Sequence, residues 1–290
     1  MNKIAPSELI LNPDGSIYHL NLKPEHIADN IIFVGDQNRV SKISNHFDTI
    51  EFELQKREFK TITGWYKDKR FTVISTGIGP DNIDIVMNEL DALVNIDLEK
   101  RIAKSTHHQL NIVRIGTSGS LQSDIPVDSF VMGKYGLGLD GLLHSYVADH
   151  IFEKEIEDAF IKHTNWHENK ARPYIIKGSE VLGKKLLSDI VFAGFTATAP
   201  GFYGPQGRVL RLPIQDITLN SKMDNFNFKG TRITNLEMET SAIYGLATLL
   251  GHNALSMNAI IANRANGTFS KDPYKPVEAL IQYTLDKLAQ

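Results

Sequence analysis

The chain has 290 residues, of which 42% are hydrophobic and 22% charged, the balance of a globular protein with a substantial core. Its formal net charge of −3 lacks the basic excess that bulk nucleic-acid binding draws on. No cysteine is present, which excludes disulfides, thiolate metal sites and cysteine nucleophiles.

The N-terminal stretch MNKIAPSELILNPDG has no apolar core of the signal-peptide type. No apolar run reaches the length of a membrane span, so a cytoplasmic protein without membrane contact is expected. Short β-branched runs predict strands at 31–35 (IIFVG), 71–77 (FTVISTG), 111–116 (NIVRIG), 128–132 (DSFVM), 194–199 (GFTATA), 231–235 (TRITN) and 256–262 (SMNAIIA). Amphipathic periodicity predicts helices at 83–95, where Ile83, Val86, Met87, Leu90 and Leu93 share a face, and at 152–163, 238–251 and 276–289. Segment 97–109, charged and rich in histidine, reads as a solvated helix end and loop. Strands alternating with helices predict an α/β fold with a mainly parallel, twisted sheet surrounded by helices. Residue usage does not shift along the chain and no linker divides it, so residues 1–290 read as one domain. Ligands of such sheets bind beyond the carboxyl ends of the strands.

Two short patterns point to little. GLGLDG places Gly136, Gly138 and Gly141 at dinucleotide-loop spacing after a strand, but no well-formed helix follows, and a flexible loop is expected. HTNWH sets His163 and His167 four apart without an acidic third ligand at metalloprotease spacing, so it reads as a solvated helix end. His107 and His108 read as loop residues.

The chemistry-bearing patterns lie at strand ends. In VGDQNRV (34–40), Gly35 ends a strand and Arg39 falls in the first turn of a helix, where amides and positive potential suit an anion; a surface arginine capping a turn is the alternative. In VRIGTSGS (113–120), Arg114 lies within an apolar strand, where an unpaired charge is costly. Gly116, Thr117, Ser118 and Gly119 then form a nest of amides and hydroxyls suited to an oxyanion. STGIGPDN (75–82) is either another such turn or only a tight connection. PGFYGPQGR (200–208) offers the flat face of Phe202, the donor and acceptor of Gln206 and the donors of Arg208, a set able to recognise a planar imide. In NLEMET (235–240), Glu237 and Glu239 flank Met238 where a strand gives way to a helix, and an acid there can cap the first turn.

Taken in order, HLNL (19–22), VGDQNRV, REF (57–59), STGIG, VRIGTSG, FYGPQGR, NLEMET and IANR (261–264) resemble the nucleoside phosphorylases, and within them the uridine phosphorylase branch, over nearly the whole chain. The resemblance implies the three-layer α/β fold of nucleoside phosphorylases and hydrolases. It also implies reversible phosphorolysis of uridine, and of deoxyuridine or thymidine, to uracil and the sugar 1-phosphate. By it, Gly35, Arg39, Arg114 and Thr117 hold phosphate, joined by Arg57 of a neighbouring subunit. His19 crosses the same interface to the ribose 5′-hydroxyl. Glu239 binds the sugar hydroxyls, Met238 packs on the sugar and Glu237 lies beside them. Ser118 and Gly119 line sugar and base, and Phe202, Gln206 and Arg208 recognise uracil. Arg39, Arg57, Arg114, Thr117 and Glu239 form the catalytic set. Inorganic phosphate is the co-substrate and no organic cofactor is implied. Glu58, Ile78 and Asn82 match a monovalent-cation (K+) position, with asparagine in place of the usual serine. The implied assembly is a homodimer with shared active sites, or a hexamer built as a trimer of dimers.

Three departures stand out: no proline follows Asp36, Gly204 and Pro205 exchange their usual order, and the segment before VRIGTSG is long. The rival readings are a purine nucleoside phosphorylase, a nucleoside hydrolase and a non-enzymatic nucleoside-binding protein. The first needs an acid near the last strand, where Asn263 stands, and the second needs no arginine-lined anion site.

Overall fold

The computed structural model of the protein describes residues 3–290. Among the described residues, twelve strands form one sheet. Its centre is parallel: Asn111–Ser120 pairs with Asn30–Val34 on one side and Asn253–Asn263 on the other, and Lys69–Ser75 continues beyond Asn30–Val34. Residues 31–34 and 112–116 are all buried, as strands covered on both faces require. A second parallel set runs through Phe130–Gly138, Val191–Thr198 and Thr231–Glu237.

The two sets are joined by antiparallel pairing of Asn253–Asn263 with Phe130–Gly138. A further antiparallel contact, Asn235 with Ser120 and Leu236 with Gly119, makes the carboxyl ends of two strands pass each other. That crossing brings Glu237 beside the end of the Arg114 strand.

The sheet is mixed and mainly parallel, as the sequence predicts, with its antiparallel pairings at the edges and where the two sets join. The Thr49–Lys56 and Phe59–Tyr66 hairpin extends it antiparallel at one edge. Thr49–Lys56 reads TIEFELQK, exposed or half-exposed throughout, so it offers no apolar run for a sequence reading to find.

Seven α-helices accompany the sheet among the described residues: Gln37–Ser44, Pro80–Asn95, Lys154–Thr164, Glu180–Leu186, Leu219–Asp224, Thr240–Leu250 and Tyr274–Ala289. Pro80–Asn95 buries the predicted face of Ile83, Val86, Met87, Leu90 and Leu93. Thr240–Leu250 is buried on every side from Thr240 to Ala247, packed between the sheet and Pro80–Asn95. No helix is long and apolar enough to cross a membrane among the described residues.

Two local expectations are corrected. GLGLDG is not a flexible loop, because Gly136 and Gly138 lie inside the Phe130–Gly138 strand. A Cβ on Gly138 would meet the Tyr174 ring at 2.2 Å, and one on Gly136 would meet the Ser241 backbone at 2.9 Å, so close packing selects glycine there. Segment 97–109 begins as a small hairpin, Ile96–Asp97 against Ile102–Ala103, because Asp97 accepts the Lys100 amide and turns the chain back.

Candidate active site

A single buried charge organises the site. Arg114 is 6% exposed. Its Nη2 donates to Glu239 Oε2 at 2.5 Å and lies 3.4 Å from Glu237 Oε2, while Nη1 donates to Asn258 Oδ1 at 2.9 Å. The guanidinium folds over Gly116, where a Cβ would meet Nη1 at 1.7 Å, so no larger residue fits. Burial works against the charge on Arg114, but Glu239 and Glu237 outweigh it and hold its pKa above the ordinary value. For Glu239, burial dominates and pushes the carboxyl above its usual range, against the pull of Arg114.

The paired acids divide their work. Glu237 caps the helix: its carboxylate accepts the Glu239 amide at 3.0 Å, the Thr240 amide at 3.0 and 3.1 Å and the Thr198 hydroxyl at 2.7 Å. Glu239 faces the strand ends, and its Oε1 accepts the Gly79 amide at 2.8 Å. Gly79 ends the STGIG turn and starts Pro80–Asn95, so this turn belongs to the site rather than being only a connection. Met238 between them is half-buried.

Arg39 sits in the first turn of Gln37–Ser44, which Asp36 caps by accepting the Asn38 amide at 2.9 Å. Its Nη1 reaches the Ile115 carbonyl at 3.2 Å, beside Arg114. Burial first, and then Arg114, depress its pKa. Arg39 makes no ion pair among the described residues. One guanidinium of this pair is thus neutralised and the other is not, an arrangement suited to an incoming anion. Gly35 lies against the carbonyl of Gly77, just beyond the paired ends of Asn30–Val34 and Lys69–Ser75.

The expected nest at 116–119 is corrected. The Asn111–Ser120 strand runs through these residues, with Gly116, Thr117 and Ser118 opposite Asn258, Ala259 and Ile260. Their backbone belongs to the ladder and does not curl into a concavity. What remains is side-chain chemistry. Thr117 is half-buried, Ser118 Oγ accepts from Asn235 Nδ2 at 2.9 Å, and Gly119 leaves space beside Arg264.

Phe202, Gln206 and Arg208 come together as one group. Arg208 Nη1 donates to the Phe202 carbonyl at 2.6 Å and to Gln206 Oε1, and its guanidinium lies 3.8 Å above the Phe202 ring. Gln206 is buried and directs Nε2 toward the Glu237 carbonyl at 3.5 Å. The loop that carries these three residues therefore docks on the main chain of the capping acid.

His19 and Arg57 lie apart from this cluster. His19 Nδ1 binds Glu89 Oε1 at 2.6 Å, and Glu89 also accepts the amides of His19 and Leu20. Glu89 is nine residues along the helix from Pro80, about 13 Å of rise, so His19 stands well away from Glu239 in its own chain. Arg57, exposed and at φ 56°, turns the hairpin and makes no ion pair among the described residues. Its neighbour Lys56 donates to the Tyr18 carbonyl at 2.5 Å, so His19 and Arg57 share one side of the molecule. Glu58 and Asn82 meet around Gly77, where a Cβ would stand 3.3 Å from Glu58 Cγ and 2.4 Å from Asn82 Nδ2; Ile78 is exposed.

Sequence reasoning missed several supports. Asn258 orients Arg114 and is itself held through Ser256 Oγ at 3.1 Å. Arg264 donates to the Gln206 carbonyl, and Glu89 clamps His19. Asn263 turns its Nδ2 to the Gln122 and Ile125 carbonyls, both at 2.8 Å, and its Oδ1 to the Asn266 amide at 2.9 Å. Away from the site, Asp91, His107 and His252 lie within 4.8 Å of one another. His252 Nδ1 accepts the Leu110 amide, which leaves the hydrogen on Nε2 and no lone pair for a metal.

The family model described as Phosphorylase superfamily matches residues 29–286. A uridine phosphorylase of Thermococcus kodakarensis is 27% identical over 100% of this chain and 93% of its own length. A DeoD-type purine nucleoside phosphorylase of Bacillus thuringiensis is 24% identical over 94% of this chain and 98% of its own. The solved structure of a Trypanosoma brucei nucleoside phosphorylase that shows uridine phosphorylase activity superposes with a TM-score of 0.87 at 29% identity, covering 97% of this chain and 99% of that one.

Replacing Arg114 by methionine strips Glu239 of its counter-charge beside Glu237. Breaking a buried pair costs about 3–5 kcal/mol, so urea unfolding at pH 8 should show a loss of that order. The folded-state pKa of Glu239, raised by burial, rises further in the variant. The folded variant then binds a proton that the unfolded chain releases, so its stability should recover as pH falls from about 8 to 5, more than in the parent. A parallel pH dependence in the two proteins would contradict the pairing.

Proposed function

From a chain that belongs to the Phosphorylase superfamily, we propose reversible phosphorolysis of uridine, with deoxyuridine or thymidine as further substrates, in cytoplasmic pyrimidine nucleoside salvage. The observation that carries this reading is the unneutralised Arg39 beside the Arg114–Glu239 pair. A nucleoside hydrolase has no use for a second guanidinium at that point, and a binding protein has no use for separate anion and sugar subsites. Inorganic phosphate is the co-substrate and no organic cofactor takes part; Glu58, Ile78 and Asn82 are the position for a monovalent cation.

In this reading Arg39, Arg114 and Thr117, beside Gly35, hold the phosphate dianion below the anomeric carbon. Glu239 accepts from the sugar hydroxyls, Met238 packs on the ribose, and Glu237 fixes both by capping the helix. As the C1′–N1 bond lengthens, negative charge beside the anomeric carbon favours the oxocarbenium-like sugar. A phosphate oxygen forms the new bond at C1′, and the electron pair of the broken bond leaves with uracil. Arg208 spends Nη1 on Phe202 and Gln206, which leaves its other N–H groups for a base carbonyl. Gln206 serves the second carbonyl and the N3–H, Phe202 covers the ring, and Ser118 and Gly119 line the approach. Most of the rate enhancement comes from positioning and preorganised charge. The purine alternative is disfavoured because the amide of Asn263 is wholly engaged by backbone and has no proton to give.

Uracil release from uridine should require phosphate. Inosine, adenosine and cytidine should turn over at least about 10³-fold less efficiently, since a mismatched base leaves buried donors and acceptors unpaired. Equal release without phosphate, or a preference for adenosine, would refute the reading.

We also infer that His19 and Arg57 serve the site of a second subunit in a homodimer, alone or within a trimer of dimers. Support comes from their common patch and from the distance between His19 and its own Glu239. Arg57→Ala and Arg208→Ala chains, each inactive alone, should complement when mixed after dissociation. Each heterodimer then holds one site with both lesions and one with neither, and recovers about half the activity. Mixtures that stay inactive despite proven subunit exchange would refute the shared site.

A further inference from the structure

Strand register places a short polar chain beside the buried arginine. In the parallel ladder Ser256 stands opposite Arg114 and Asn258 opposite Gly116, so all four lie on one face of the sheet. Asn258 is fully buried. Its Oδ1 accepts from Arg114 Nη1 at 2.9 Å, and its Nδ2 donates to Ser256 Oγ at 3.1 Å. Ser256 Oγ also accepts the Thr240 hydroxyl at 2.9 Å, and the Ser256 amide donates to the Tyr244 hydroxyl at 2.8 Å. The opposite orientation of the Asn258 amide would set Nδ2 against the guanidinium, donor against donor, so the chain fixes a single one.

Charge explains why this acceptor is an amide. Among the described residues of the cluster, two guanidiniums, Arg39 and Arg114, face two carboxylates, Glu237 and Glu239. A carboxylate at position 258 would turn that balance negative at the point where the two arginines would hold an anion. A hydrocarbon there would leave a buried Nη1 hydrogen unpaired and the guanidinium free to turn. A neutral acceptor aims Nη1 without drawing on the charge that an anion needs.

We propose that Asn258 is a positioning residue that sets the phosphate affinity of the site, aiming Arg114 while leaving the charge of the Arg39–Arg114 pair available. The inference rests on the phosphorolysis reading for the identity of the anion, and it assigns Asn258 to phosphate rather than to the nucleoside. Ser256 is the anchor of the arrangement: it pins Nδ2, and with it the direction of Oδ1.

The test is calorimetric titration of the full chain with inorganic phosphate, without nucleoside, beside the uridine KM at saturating phosphate. Asn258→Asp keeps the shape and adds the charge. It should weaken phosphate at least about tenfold, equivalent to about 1.4 kcal/mol, while the uridine KM moves no more than about twofold. Ser256→Ala keeps the charge and releases the amide, and should weaken phosphate about threefold, as loss of one buried hydrogen bond in the support predicts. Thermal melting reports that each variant is folded; if Asn258→Asp does not fold, Ser256→Ala decides alone. No phosphate binding by the parent, parental phosphate affinity in a folded variant, or a uridine KM that rises in step with the phosphate Kd would overturn the proposal. A parent that binds phosphate yet releases uracil equally well without it would refute phosphorolysis and leave the calorimetric ranking of the variants in force, so the two failures are distinguishable.

Discussion

A guanidinium buried in the middle of a parallel sheet has to be neutralised, and the arrangement of strand ends in this protein follows from that requirement. An uncompensated ion at such depth costs several kcal/mol even after relaxation. Arg114 escapes the cost only because Glu237 and Asn258 meet it from two other strands and Glu239 from the start of the Thr240–Leu250 helix, and because Gly116 leaves room for the fold of its side chain. The antiparallel crossing of Thr231–Glu237 over the end of Asn111–Ser120 makes the meeting possible. Gly79 adds the amide at the start of Pro80–Asn95, where the helix field favours the Glu239 carboxylate.

Chemistry follows from what this cluster leaves unbalanced. Arg114 is already compensated, whereas Arg39, half-buried next to it, is not. A dianion entering there relieves the repulsion between the two cations as well as binding to both. Glu237 links the remaining subsites. Its carboxylate fixes the helix start that presents Glu239, and its carbonyl receives the loop that presents Gln206. On the proposed reading, sugar and base recognition are both built on this one residue, which places them at a fixed separation, as a reaction dependent on positioning demands.

Much of this was legible in the sequence for definite reasons. A charge inside an apolar strand asks for a partner, and paired acids at a strand–helix junction ask for a purpose, so Arg114, Glu237 and Glu239 stood out. The spacing of Phe202, Gln206 and Arg208 survived the exchange of Gly204 and Pro205 and pointed to one recognition loop. Asn258 and Glu89 were invisible, because polar residues in a strand or on a helix face look alike whether they orient a site residue or meet solvent; Arg264 lay in the IANR motif, but its partner, the Gln206 carbonyl, is a long-range one that the sequence does not carry. The strand through 116–119 was misread as a nest because glycine and small hydroxyl residues suit both conformations. Gly136 and Gly138 were misread because close packing against Tyr174 and Ser241 is a long-range cause that local composition does not carry.

The central claim, that phosphate rather than water attacks the sugar, is tested most directly by turnover of uridine with phosphate in ¹⁸O-enriched water. Phosphorolysis through the Arg39–Arg114 site predicts ribose 1-phosphate carrying no solvent oxygen at C1. Free ribose with ¹⁸O at C1 as the first product would contradict it.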